Sequence, residues 1–330
     1  MSKKELNNFI YEDDYLRYES YLKGFSKEKF DEFDAIAEKV GLDSKIKDLM
    51  DSQIVNETEN QAALHPQYRN KHFSSKNYDF KSASGFYESI RKELHKTFDK
   101  TDVDGVNIVS IGIGGSFEGP KLMFEATGPY YSGSAVKFKF LTGPNSNEFY
   151  EKIRHLDPKK TFFLVFSKSF ETIETLGMLS IALEWSGDAK KFLALTSNAD
   201  KPKEFGISYI HTFDKEIGGR YSIWLEDVVK IFGEKEFHSF DTPGLALTDF
   251  HRGGARADER LFNKEYLNFV KFLSFGDIWM NNFNKKHIRV ILSYYWKLRS
   301  FPDYAQQLEM ESLGKPANPS MQYKNTGQVV

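Results

Sequence analysis

Residues 161–175 read TFFLVFSKSFETIET. The apolar run FFLVF stops at Ser167, and Ser167, Lys168, Ser169 and Thr172 follow within one turn before helical spacing sets in. A continuous apolar run ended by a polar turn reads as a strand buried on both faces. Hydroxyls and open N–H groups at a helix start suit a phosphate, and the lysine supplies charge. The same residues suit plain helix capping, because Ser and Thr are favoured at N-caps and Glu171 in the first turn complements the helix dipole. Residue types leave both readings open. A nucleotide P-loop is not supported, since G-x-x-x-x-G-K-[ST] is missing.

Working outward, the pattern repeats. VNIVSIGI (106–113), VKFKFL (136–141) and KFLALT (191–196) are further strand-like runs. Between the runs lie FEGPKLMFEA, NEFYEKIRHL and ETIETLGMLSIALEW, all at helical spacing. Such alternation predicts βαβ units and an α/β fold, a doubly wound parallel sheet in an α-β-α sandwich. Upstream, charged stretches such as FDEFDAIAEKVGL predict one or two amphipathic helices in an N-terminal arm, and GFYESIRKELHKTF (85–98) predicts another helix. Downstream, helices dominate 244–285, and HIRVILSYYW (287–296) reads as the first strand of a second α/β unit. The helix FPDYAQQLEMES follows, then KNTGQVV, which has the look of a strand beginning. The expected division is a helical arm over 1–70, a first α/β domain over 71–240, and over 241–330 a helical connection with the start of an incomplete second domain.

The length of 330 residues favours two domains. With 40% apolar and 28% charged residues, the composition is that of a soluble globular protein. A formal net charge of -2 offers no electrostatic case for nucleic acid or an anionic membrane as partner. Cysteine is absent, which excludes disulfides and thiolate metal sites. The N-terminus has no apolar signal region and no run is long enough to span a bilayer, so a cytoplasmic location is expected.

In open α/β sheets ligands bind at the carboxyl ends of strands, so the other strand-end turns matter. In IGIGGSFEGP (111–120), glycines between strand and helix allow a backbone to approach a ligand, or simply make a tight turn. The spacing does not fit a dinucleotide fingerprint, because Phe117 stands where the third glycine would be. In EIGGRYSIW (216–224), paired glycines before Arg220 suit bringing a guanidinium close to a ligand, although surface arginines are common. In AQQLEMESLGK (305–315), Gln307 and Glu311 are four apart and share a helix face, whereas a glutamate there is by default a solvated charge.

Together these motifs resemble those of the glucose-6-phosphate isomerase (phosphoglucose isomerase) family, in its order. NETENQAALHPQYRN resembles N-x-T-E-x-R-A-x-L-H-x-A-L-R, IGIGGSFEGP resembles I-G-I-G-G-S-x-L-G-P, and SKSFETIET resembles S-K-T-F-T-T-x-E-T. FLALTSNADKPKEFGI resembles the next strand and loop, GGRYSIW is the core of a family signature, and RSFPDYAQQLEMESLGK resembles the helix ending in Q-Q-x-D-M-E-S-N-G-K. The resemblance implies two sugar-isomerase (SIS-type) α/β domains with a helical N-terminal arm, a homodimer, and reversible conversion of glucose 6-phosphate and fructose 6-phosphate without metal or organic cofactor. It implies that Ser167, Lys168, Ser169 and Thr172 grip the substrate phosphate and that Gly115 and Ser116 contact the sugar. It places Gly219 and Arg220 beside the reacting carbons, with Glu311 as the catalytic base and Gln307 as a substrate contact.

The chain departs from the family pattern in places. Ser169 keeps the hydroxyl of a family Thr, while Glu171 replaces a neutral Thr in the phosphate turn, so its side-chain direction decides whether the grip is weakened. Gln61 replaces an Arg, and Asn145, Ser146, Asn147 and Glu148 replace Asp-Gly-Thr-His. Leu225 and Glu226 replace small residues, and Leu313 replaces Asn. The family's ring-opening histidine sits in a G-T-N-G-Q-H motif and its ring-opening lysine comes near the family's C-terminus. None of the eight histidines here has that context. The expectation is weak or absent turnover of closed-ring glucose 6-phosphate, and the alternative reading is a non-catalytic sugar-phosphate-binding protein of the SIS type.

Overall fold

The structure is a computed structural model. It describes residues 9–56, 60–69, 106–127, 136–225, 228 and 249–313. The helix expected over 85–98, the KNTGQVV segment and Glu226 lie outside the described residues.

In chain order the elements are β1 (Phe9–Glu12), β2 (Arg17–Ser20), α1 (Lys27–Lys39), α2 (Leu42–Met50), β3 (Ile54–Asn56), β4 (Gln61–Ala62), α3 (His65–Arg69) and β5 (Val106–Ile111). Then come α4 (Gly115–Thr127), β6 (Val136–Leu141), α5 (Ser146–Lys152), β7 (Thr161–Phe166), α6 (Ile173–Ser186), β8 (Phe192–Thr196) and β9 (Tyr209–Thr212). A 3-10 turn (Gly219–Trp224), α7 (Asp249–Arg260), α8 (Lys264–Ile278), a π turn (Trp279–Phe283) and α9 (Phe301–Leu313) complete the described chain. The chain divides into two compact units. One gathers Met1–Pro66, Arg252–Ile291 and Glu309–Val330, the other Gln67–His251 and Leu292–Leu308.

The second unit is built on a five-stranded sheet of order β6-β5-β7-β8-β9, in which every neighbouring pair is parallel. Every residue of β5, β7 and β8 is buried. These are the strands read from continuous apolar runs, and they are covered on both faces as such runs require. Val109, Phe163, Val165, Phe192 and Ala194 pack with Phe149 from α5 and Met178, Leu179 and Ala182 from α6 in one core. Numbered within the sheet, the order is 2-1-3-4-5, so the winding reverses between β5 and β7. A crevice at the carboxyl ends of two such strands is the favoured ligand site of doubly wound sheets.

In the first unit α1, α2, β1 and β2 pack on α8. Phe9 stacks on Phe272 at 4.1 Å and Tyr11 on Phe269 at 4.5 Å. The Lys271 ammonium, almost fully buried, meets Asp34 at 2.7 Å. The β1–β2 hairpin falls where helical spacing had been read. Asp13 makes it: its carboxylate accepts hydrogen bonds from the amides of Tyr15 and Leu16 and so closes the loop between the strands.

The run 287–296 corrects an expectation. Ile288 alone forms an isolated bridge, the rest lies in no strand, and Trp296 begins a 3-10 turn (Trp296–Leu298). A strand needs a neighbour paired along its length, and no strand of the described residues pairs with this run. Ile288, Val290, Leu292, Tyr294 and Trp296 are all exposed, Tyr294 by 94%. Among the described residues no helix is long and apolar enough to cross a membrane.

Candidate functional site

The two turns that flank the winding reversal are Gly112–Ser116 after β5 and Ser167–Thr172 after β7. Gly112 donates its amide to the Leu141 carbonyl at the end of β6, and a Cβ at 112 would lie 2.9 Å from the Phe166 carbonyl at the end of β7. The glycine turn is therefore wedged between the ends of both neighbouring strands, and a side chain at 112 would push it out.

The second turn is held by its backbone. The Lys168 carbonyl accepts hydrogen bonds from the Ser197 amide, the Ser197 hydroxyl and the Thr196 hydroxyl, each at 2.8 Å. Phe170 adopts a left-handed conformation, φ 55°, with its side chain fully buried in the sheet core. A bulky residue in that region is strained by about 1–3 kcal/mol, which the burial of a phenyl ring, about 1.5–3 kcal/mol, offsets. The Ser167 hydroxyl accepts from the Phe170 amide at 3.2 Å and lies 3.3 Å from the Thr172 hydroxyl. The Ser169 hydroxyl accepts from the Glu171 amide at 3.3 Å. Thr172 occupies the N-cap position of α6, yet its side chain makes no capping hydrogen bond. The Glu171 side chain is 62% exposed, and its carboxylate lies 4.0 Å from the Lys201 ammonium.

The Gly219–Trp224 turn closes on the first turn from the other side. A Cβ at Gly115 would sit 2.3 Å from the Arg220 nitrogen and 2.3 Å from the Gly219 carbonyl carbon. The Ser222 hydroxyl donates to the Gly115 carbonyl at 3.0 Å, entirely buried. Ser116 is buried beside this contact. Helix α9 reaches the same place, because a Cβ at Gly114 would meet the Gln307 amide nitrogen at 3.3 Å. Gly115, Gly219, Arg220 and Gln307 are thus brought together, next to the turn that carries Ser167, Lys168, Ser169 and Thr172. Glu311 belongs to the first unit. It lies one turn beyond Gln307 on α9 and is exposed.

Some contributors carry no residue-type signal. The Tyr304 hydroxyl donates to the Arg220 carbonyl at 3.1 Å, and burial pushes this phenol well above its ordinary range. The Arg69 guanidinium lies 4.6 Å over the Trp224 ring, which joins the NETENQAALHPQYRN and GGRYSIW segments. Glu148, at a departure from the family pattern, has a structural task. Its carboxylate accepts from the amides of Thr142 and Gly143 and from Lys152 at 2.7 Å. Burial works against ionisation, but the Lys152 and backbone hydrogen bonds prevail and hold the carboxyl below its usual range.

The profile of the family described as Phosphoglucose isomerase matches residues 22–329. The chain belongs to the phosphoglucose isomerase family. Its similarity to individual phosphoglucose isomerases is consistent with this. It is 33% identical over 305 residues to the glucose-6-phosphate isomerase of Shewanella baltica OS155, which covers 85% of this chain and 54% of that protein. It is 34% identical over 300 residues to that of Shewanella pealeana, covering 83% of this chain and 52% of that protein. The chain spans about half the length of the curated relatives it matches. The crystal structure of a Chlamydia trachomatis glucose-6-phosphate isomerase shares the fold, with a TM-score of 0.65 at 22% identity over 91% of this chain and 58% of that one.

Proposed function

We propose that this phosphoglucose isomerase family chain takes part in interconverting glucose 6-phosphate and fructose 6-phosphate through a cis-enediol. The observation that carries the reading is the meeting of the Gly112–Ser116, Ser167–Thr172 and Gly219–Arg220 turns at the winding reversal of the sheet. In this reading Ser167, Lys168, Ser169 and Thr172 hold the phosphate. Gripping a group that does not react fixes the position of the carbons that do. Gly115, Ser116, Gly219 and Gln307 line the sugar. Glu311 takes the proton from one carbon and returns it to its neighbour, as a single carboxylate base can do. Arg220 faces the enediolate oxygen, whose charge grows in the transition state, so a fixed cation there favours the transition state over the ground state. A homodimer and a cytoplasmic location belong to the same proposal.

The exposure of Glu311 favours a second reading, a sugar-phosphate-binding protein without catalysis. One experiment separates the two. Fructose 6-phosphate is incubated with the chain in deuterium oxide, and exchange at C1 is followed by NMR while calorimetry measures binding of 6-phosphogluconate. The isomerase reading expects exchange that Glu311→Gln abolishes without loss of binding, and binding that Lys168→Ala removes. Binding without exchange leaves the second reading. Equal binding by wild type and Lys168→Ala overturns the phosphate assignment.

A further inference from the structure

A row of contacts runs along one face of α9, outside the residues assigned to substrate. Just before the helix, Arg299 meets Glu125 at 2.8 Å and the Ser300 hydroxyl also donates to Glu125. One turn on, Asp303 accepts from Lys121 at 2.9 Å. Next to it Tyr304 donates to the Arg220 carbonyl, and a further turn on Gln307 lies against Gly114. Positions 300, 304, 307 and 311 follow the three-to-four spacing of a single helix face. Both carboxylate-binding contacts land on α4, the helix that begins at Gly115. Lys121 is the hub: Glu118 lies 3.9 Å from it in the first turn of α4, and the Phe117 ring faces its ammonium at 5.3 Å. The Lys121 side chain is 24% exposed and that of Asp303 54%, so the pair is partly open to solvent and its role is geometric. Burial alone would favour neutral lysine. The Asp303 hydrogen bond and the charges of Glu118 and Glu125 outweigh it and keep Lys121 protonated.

We propose that Lys121 and Glu125 are positioning residues that fix the rotation and register of α9 on α4, and so set where Gln307 points. The proposal rests on the isomerase-family reading of that site. Neither residue touches substrate in that reading. Each holds the helix that does. Removing the Lys121 link frees the start of α9 to roll, and the Gln307 amide then no longer has a fixed place over the glycine turn.

The test uses the full chain with Lys121→Met, Lys121→Arg, Glu125→Gln, Gln307→Ala and the double variant Lys121→Met/Gln307→Ala. Calorimetry with 6-phosphogluconate is expected to show about a fivefold loss of affinity in Lys121→Met, recovery in Lys121→Arg, and no further loss when Gln307→Ala is added to Lys121→Met. A role in general stability alone would not produce that coupling. Wild-type affinity in both Lys121→Met and Glu125→Gln, or losses that add in the double variant, would overturn the proposal. Hydrogen exchange without ligand, read at amides 303–308 against those of β5 and β7, decides the matter if the wild-type chain does not bind 6-phosphogluconate. Faster exchange confined to α9 in Lys121→Met upholds the positioning role even where the substrate reading has failed. Unchanged exchange there overturns it.

Discussion

Gly115 and Arg220 are in backbone contact, with room for hydrogen but none for carbon between the glycine turn and the Arg220 nitrogen. The clash involves backbone atoms, which no change of rotamer relieves. Gly115→Ala is therefore expected to destabilise the chain by about 1–3 kcal/mol, as overpacking does. It should also separate the Gly219–Arg220 turn from the Gly112–Ser116 turn. Urea unfolding and 6-phosphogluconate binding check this, and an unchanged midpoint with unchanged affinity would contradict it.

Thr172 distinguishes an anion site from an ordinary helix start. Removing a hydroxyl that caps a helix costs about 1 kcal/mol, but the Thr172 side chain makes no capping bond. Thr172→Val should leave the unfolding midpoint nearly unchanged while weakening phosphate and 6-phosphogluconate binding several-fold. A stability loss with intact binding would return this residue to a capping role.

Glu171 faces solvent and Lys201 at the limit of an ion pair. Exposed pairs of this kind contribute about 0–1 kcal/mol. Glu171→Gln should alter anion affinity by no more than about twofold at physiological salt. A large gain in affinity would mean that the carboxylate opposes the phosphate after all.

Acid should loosen the hairpin of the first unit. The Tyr11 hydroxyl, then the amides of Tyr15 and Leu16 and the Arg260 guanidinium, hold the Asp13 carboxyl at about 2, below its ordinary 3.8. A depressed carboxyl stabilises the fold fully above its unfolded value and loses that contribution as pH falls toward the folded one. The gap in unfolding midpoint between wild type and Asp13→Asn should thus narrow between pH 4 and pH 2. At the other extreme, burial and the Asp13 hydrogen bond push the Tyr11 phenol up to about 12. Its contribution is present below its ordinary 10 and fades as pH rises through about 12. A gap that is constant with pH would remove Asp13 from this role.

The sheet could be read in the sequence because β5, β7 and β8 are buried on both faces, which writes them as unbroken apolar runs. The turns could be read because glycines and hydroxyls are there for steric and hydrogen-bonding reasons that residue type reveals. The β1–β2 hairpin could not, since four-residue strands rich in charge also fit a loose helical spacing. The run 287–296 differs for another reason: an apolar run shows that a segment is suited to a strand, whereas no strand of the described residues pairs with it. Tyr304 left no trace because its partner is a backbone carbonyl, which every residue has. The left-handed Phe170 was not legible either, because residue type argues against that conformation.

That phenylalanine has one more consequence. Its ring is part of the core beneath the sheet, so the hydroxyl turn above it cannot relax as an independent loop. Exchange of the Phe170 amide with solvent should track unfolding of β5 and β7 rather than the quick opening usual for surface turns. An anion arriving at Ser167 and Thr172 would then meet a receptor already in shape, and its binding would bring little ordering cost and little change in the mobility of the turn.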